Sequence, residues 1–317
     1  MDTPGLTPLQ LAPEYRPYVW GGQRLRPGPG PTAEAWVIYE DDRVVNGRYQ
    51  GRTLAEAAAA EGPALLGQQV MAHTGERFPL LVKLLDCAQW LSLQVHPNDE
   101  QAARLEGPGF FGKTEAWHVI AADPGAQLLS GFRPGTSSAA VDQAVRQGSV
   151  MEVVESHTVQ PGDSLLIRAG LIHALGPGLL IYEVQQTSDL TYRVYDWGRD
   201  PSAGRPLHIE KSLAVLNPEL SGKPQPLPEL AEAGIERLAA SEYFTLDLLH
   251  SRRDPLDRET RGESFHAITV LEGQARLEGA GWRFLLGSFE SLVIPASCGA
   301  YRVIPEQPFR ALCAAAV

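Results

Sequence analysis

Gly162-Asp-Ser-Leu-Leu-Ile-Arg-Ala-Gly170-Leu-Ile-His173 is the stretch on which the reading of the fold turns. A glycine opens it, a short apolar run follows, a second glycine turns the chain, and a histidine emerges from that turn. Such a run is a strand held between tight turns, with a polar side chain delivered just beyond the second one. Leu91-Ser-Leu-Gln-Val-His-Pro-Asn-Asp99 alternates apolar and polar residues. On a strand, Gln94 and His96 project from one face while Leu91, Leu93 and Val95 pack on the other. A third stretch, Gly112-Lys-Thr-Glu-Ala-Trp-His-Val-Ile120, starts an apolar run with Glu115, and Lys113 stands two residues earlier on the same face.

Outward from these segments the chain reads as β through most of its length. Runs at 35–39, 80–85, 90–95, 115–121, 127–131, 151–158, 163–168 and 180–186 are short, β-branched or alternating, and bounded by turn residues. That pattern favours a sandwich or barrel. A second set follows at 244–250, 264–271, 274–278, 282–286 and 291–294. Helical signals are few: 53–67 with Thr53 as cap, 98–105 with Asn98 as cap, and 138–147, 208–216 and 227–239. Residues 217–228 carry four prolines and read as a linker. Segments 118–131 and 159–170 are echoed in order and turn placement by 267–279 and 285–297, as two copies of one β module would be.

The 317 residues suffice for two domains, and 44% hydrophobic with 21% charged residues excludes a disordered or fibrous chain. A net charge of −11 argues against a nucleic-acid or anionic-membrane surface, so an anionic substrate would need a locally cationic pocket. Cys87, Cys298 and Cys313 fit neither a disulfide framework nor a cysteine zinc cluster and read as buried thiols in a reducing compartment. The N-terminal residues lack the basic start and apolar run of a signal peptide, and no stretch reaches the length of a membrane span. The expectation is a cytoplasmic monomer or homodimer with no nucleic-acid or membrane partner.

Together the motifs resemble the cupin superfamily, whose first motif ends in His-x-His and a glutamate and whose second reads Gly, five residues, Pro-x-Gly, two residues, His. The second is present from Gly162 to His173 with Arg168 in place of the proline; in the first, Gln94 replaces one histidine and an insertion displaces the glutamate. Gln94 narrows the likeness. The chain resembles the type I mannose-6-phosphate isomerases through Gln94 to Pro97, Lys113 to Glu115, His173-Ala174 and Asp189 to Arg193, over about two thirds of its length. The resemblance implies a mainly β fold of two cupin-type β-barrel (jelly-roll) domains with a few short helices: a metal-binding catalytic domain at 1–222 and a degenerate one at 223–317. It implies one Zn²⁺ per chain on Gln94, His96, Glu115 and His173, a donor set that Mn²⁺, Fe²⁺ or Co²⁺ would also enter. The implied substrate is a small phosphorylated sugar, mannose 6-phosphate passing to fructose 6-phosphate through an enediol. Glu183 is the first candidate base, Arg193 and Lys113 complete the catalytic set, and Ser92 and Lys83 receive the phosphate.

Each residue alone also has a plain structural reading. Lys113 and Glu115 would form a surface ion pair, Arg193 would anchor a loop through Asp189 or Asp196, Lys83 would snorkel, and Trp20, Trp36, Trp90 and Trp117 would fill core. His118 alternates out of phase with the apolar face, His157 and His250 lack neighbours of metal-ligand spacing, His73 is read in a Gly-rich loop, and His266 lacks partners, so the second barrel is expected to hold no metal. The same barrel and ligand types would serve two other classes, an iron-dependent cupin oxygenase and a non-catalytic sugar-binding cupin.

Overall fold

The computed structural model describes residues 6–200 and 205–317. Residues 1–5, where the N-terminal reading for a signal peptide begins, lie outside them. The chain forms two compact units, one of Tyr15–Ala35 with Leu84–Pro226, the other of the segment ending at Glu14, Trp36–Lys83 and Leu227–Val317. The junction of Pro226 with Leu227 falls inside the proline-rich linker. Residues 36–83, which precede the expected boundary at 222, belong to the same unit as the C-terminal strands.

In the first unit, Leu179–Gln186, Glu115–Ala122 and Ser164–Ile167 pair antiparallel in that order within one sheet. A five-stranded sheet runs Tyr192–Tyr195, Leu93–Val95, His173–Leu175, Gln127–Phe132, Val154–Thr158. The two sheets share an apolar interior of Leu128, Leu165, Ile167, Leu175 and Ile181. Behind the five-stranded sheet, Leu93, Val95, Leu129 and Tyr192 pack with Val141, Val145 and Val215, which lie on the helices Ser138–Gln147 and Ile209–Val215. Leu93 and Val95 are therefore buried outward, and Gln94 between them faces inward, as alternation requires.

The C-terminal strands form a second pair of sheets. One runs Ala233–Ala240, Phe244–Ser251, Phe309–Ala316, His266–Glu272, Ser291–Ile294; the other runs Leu256–Glu259, Ala300–Pro305, Gln274–Gly279, Trp282–Gly287. Leu249, Ile268, Val270, Leu277, Leu286 and Val303 fill the interior. The protein is mainly β, built of antiparallel sheets. Among the described residues no strand pairing closes either pair of sheets into the expected barrel. Edge strands such as Ser164–Ile167 (4 residues) and Val154–Thr158 (5 residues) end the sheets and offer little backbone to pair across the gap.

Thr53 and Asn98 each close a capping box, on Leu54–Glu61 and Asp99–Glu106, and Ser137 caps Ser138–Gln147. The helix expected at 227–239 is absent: its C-terminal half is the strand Ala233–Ala240, hairpin-paired to Phe244–Ser251. Its Glu, Ala and Leu content favours a helix, but pairing along a full neighbouring strand outweighs propensities of a few tenths of a kcal/mol per residue. No helix among the described residues is long and apolar enough to cross a membrane.

Candidate metal centre

The inner faces of the first unit are apolar at one end and polar at the other. Cross-strand register sets the polar end. On the five-stranded sheet Arg193 pairs with Gln94, Gln94 with His173, and His173 with Ser130, a single row across four strands. Opposite, Glu115 pairs with Gln185 and Trp117 with Glu183, so these four also share a face. Alternation carries His96 inward two residues after Gln94, and Gly170 at φ 88° makes the turn from which His173 enters its strand.

Four side chains converge there. His173 Nε2 lies 3.1 Å from His96 Nε2 and 3.3 Å from the Gln94 amide, and the Glu115 carboxylate is 3.3 Å from His173 Nε2 and 3.6 Å from His96 Nε2. Both rings are fixed from behind. His96 donates from Nδ1 to the carbonyl of Leu190, and His173 donates from Nδ1 to the carbonyl of Leu171, each at 2.8 Å. In neutral rings so tethered the lone pairs sit on Nε2. Burial lowers His173 to about 4, so at neutral pH no proton has to leave before its nitrogen can bind a cation. Two lone pairs at 3.1 Å, facing a carboxylate, repel one another unless a positive charge lies among them. The donors that meet here, two imidazoles and a carboxylate with an amide that presents its oxygen after a half-turn, fit a divalent ion.

Around this centre Lys113 pairs with Glu115 at 2.9 Å, both of them buried, so this is no surface ion pair. Breaking such a pair leaves a buried charge without compensation. The buried Glu183 carboxylate accepts a 2.7 Å hydrogen bond from Trp117 Nε1, and the Trp117 ring stands edge-on to His173 at 5.3 Å. Arg193 is half-buried; burial first, then the charge of Arg205, pull its guanidinium below the usual range.

The family model described as phosphomannose isomerase type I, catalytic domain, matches residues 9–134. The mannose-6-phosphate isomerase of Streptococcus mutans serotype c is 35% identical over 304 residues, covering 91% of this chain and 92% of its own. The chain belongs to the mannose-6-phosphate isomerase family. Another relative, from Bacillus subtilis, is 31% identical over 310 residues, covering 93% of this chain and 95% of its own. The crystal structure of the mannose 6-phosphate isomerase from Bacillus subtilis superposes with a TM-score of 0.86 at 28% identity, over 98% of this chain and all of that one.

Of the site residues expected from this family, Gln94, His96, Glu115, His173 and Lys113 meet, Glu183 lies on the strand beside Glu115, and Arg193 stands next to Gln94. Ser92 is buried, with the same parity as Gln94 and His96. Lys83 is buried on Leu80–Cys87 with its ammonium 4.9 Å from the Trp36 ring centroid. Trp117, Gln185 and Ser130 adjoin the centre without having been among the expected site residues. Trp117 is core, as expected, but also holds Glu183; its equal parity with Glu115 was the available signal. Among the histidines set aside, His118 bonds Ser164 Oγ and His157 approaches the carbonyl of Ser130. Cys87 and Cys313 are buried free thiols; Cys298 is only half-buried, a departure from expectation that follows from its place in the short 3-10 turn Ala296–Cys298 at the end of a strand.

Proposed function

We propose that the chain interconverts mannose 6-phosphate and fructose 6-phosphate, with one divalent ion, zinc by preference, on Gln94, His96, Glu115 and His173. The observation that carries this is the meeting of two Nδ1-tethered imidazoles and a buried carboxylate on facing strands, with further polar side chains in the adjoining cross-strand positions. When bound, the ion supplies Lewis-acid stabilisation of charge on the sugar oxygens. The protein's own residues supply the rest. Glu183 is the proposed base that carries a proton between C1 and C2, its carboxylate oriented by the Trp117 N–H. Arg193 is proposed to stabilise the enediolate, and Lys113 to pair with Glu115 and to add positive charge where an acidic protein must receive an anion. Ser92 would face the phosphate. The finer reading of the fold is that each pair of sheets is a cupin-type jelly roll, with the chemistry in residues 1–222 and a degenerate copy in 223–317.

The test follows formation of fructose 6-phosphate from mannose 6-phosphate. Chelation should abolish activity and Zn²⁺ restore it, and His173→Ala should lower kcat/KM by about a hundredfold or more. Full activity in protein shown by elemental analysis to be metal-free, or in the variant, would overturn the reading.

A further inference from the structure

One end of the C-terminal sandwich holds a cavity of roughly 1400 Å³, lined wholly by residues of that unit and distinct from the metal centre. Strand register builds its walls. Arg258 pairs with Tyr301, Tyr301 with Gly279 and Gly279 with Trp282, which sets the three side chains in one row. Gly279 makes room for the indole, because a Cβ there would lie 2.6 Å from the Trp282 ring. The facing sheet contributes His266 and Asp247, and Arg237 pairs with Asp247 across the hairpin.

Hydrogen bonding gives the cavity a definite polarity. Tyr301 Oη is 2.6 Å from His266 Nδ1, and it also accepts from the Arg258 guanidinium, which can only donate. The Tyr301 hydroxyl therefore donates to Nδ1, and neutral His266 carries its own proton on Nε2. Burial keeps His266 neutral, lowering it to about 3. Arg258 lies 3.5 Å from Asp247, which Arg237 also engages, so two guanidiniums share one buried carboxylate. Trp282 and Tyr301 form an aromatic wall with ring centroids 6.0 Å apart. An apolar occupant would strip water from these polar groups and leave them only one another as partners, and a bare inorganic anion would make no use of the indole. A polyhydroxylated anion uses all of them: its C–H face on Trp282, hydroxyls on Asp247, its anionic group on the guanidiniums and His266.

We propose that this cavity is a second ligand site, selective for small sugar phosphomonoesters. The assignment rests on the cavity's own residues and does not depend on the chemistry of the metal centre. Calorimetric titration of the full chain with fructose 6-phosphate tests it, with mannose and inorganic phosphate as comparison ligands. Two binding events are expected, one of which survives His173→Ala and weakens about tenfold or more in Tyr301→Phe. Arg237→Gln, at a side chain 53% exposed, should weaken the same event without risk to the core. The proposal fails if wild type shows a single event, if neither cavity variant changes either event, or if mannose or inorganic phosphate binds this site as tightly as the sugar phosphate.

Discussion

Trp117 shows how much of the centre depends on single atoms. Its indole N–H donates to Glu183 at 2.7 Å, and a donor to a carboxylate favours the charged form. Trp117→Phe keeps the ring but removes that donor, so the Glu183 pKa should rise. The proposed base would then stay protonated to higher pH. The acidic limb of the kcat profile should move upward in pH, with activity near neutrality down about tenfold and metal content unchanged. An unshifted acidic limb would show that Glu183 is not the titrating base. Gln94 has a comparable atomic role. Any small polar side chain would continue the alternation of its strand, yet the position carries an amide aimed at His173 Nε2.

At the level of elements, the Glu115 ligand is positioned by a docked turn. Gly112 donates to Asp99 Oδ1 at 2.7 Å and Lys113 donates to the carbonyl of Pro97 at 2.9 Å, which lays the start of the Glu115 strand on the first turn of the helix Asp99–Glu106. A Cβ on Gly112 would sit 2.5 Å from the backbone of Asn98, and backbone cannot step aside as a side chain can. Gly112→Ala should cost about 2 kcal/mol and weaken metal binding together, whereas Asn98→Ala should cost about 1 kcal/mol through the lost cap and leave metal affinity nearly intact. Thermal unfolding and metal titration on both variants separate the two effects; equal metal affinity in Gly112→Ala would mean that this docking does not position Glu115. Strands with strict alternation, such as the one carrying Gln94, were legible from sequence because period two has one meaning. Phe309–Ala316, with four alanines, was not, although it is the central strand of its sheet and pairs on both sides. Alanine carries little β signal, and packing between two neighbours makes that strand. Nor were Gln185 and Ser130 legible as site neighbours, because their place follows from cross-strand register with Glu115 and His173.

At the scale of the whole molecule, sequence order and spatial grouping part company at residues 36–83. The helices Pro63–Leu66 and Gln68–Thr74 are tied to residues near 263: Gln68 and Gln69 donate to the carbonyls of Gly262 and Glu263, and Phe265 donates to that of Leu66. Gly67, at φ 98°, would bring a Cβ within 2.2 Å of the Glu263 carbonyl oxygen, so only glycine permits the contact. Phe78 packs on Phe265 with centroids 4.5 Å apart, and Leu65, Leu66 and Phe78 are wholly buried. A chain cut at Pro226 keeps every ligand of the metal centre but strips this cover. Each such side chain loses about 1.5–3 kcal/mol on exposure, and three of them suffice to unfold a segment of marginal stability. The truncated chain should therefore be prone to aggregate, bind a hydrophobic dye and show no isomerase activity, as size-exclusion chromatography and the coupled assay would record. A monodisperse, active fragment would mean that residues 36–83 fold without the C-terminal strands and that the boundary expected from the sequence is an independent folding boundary.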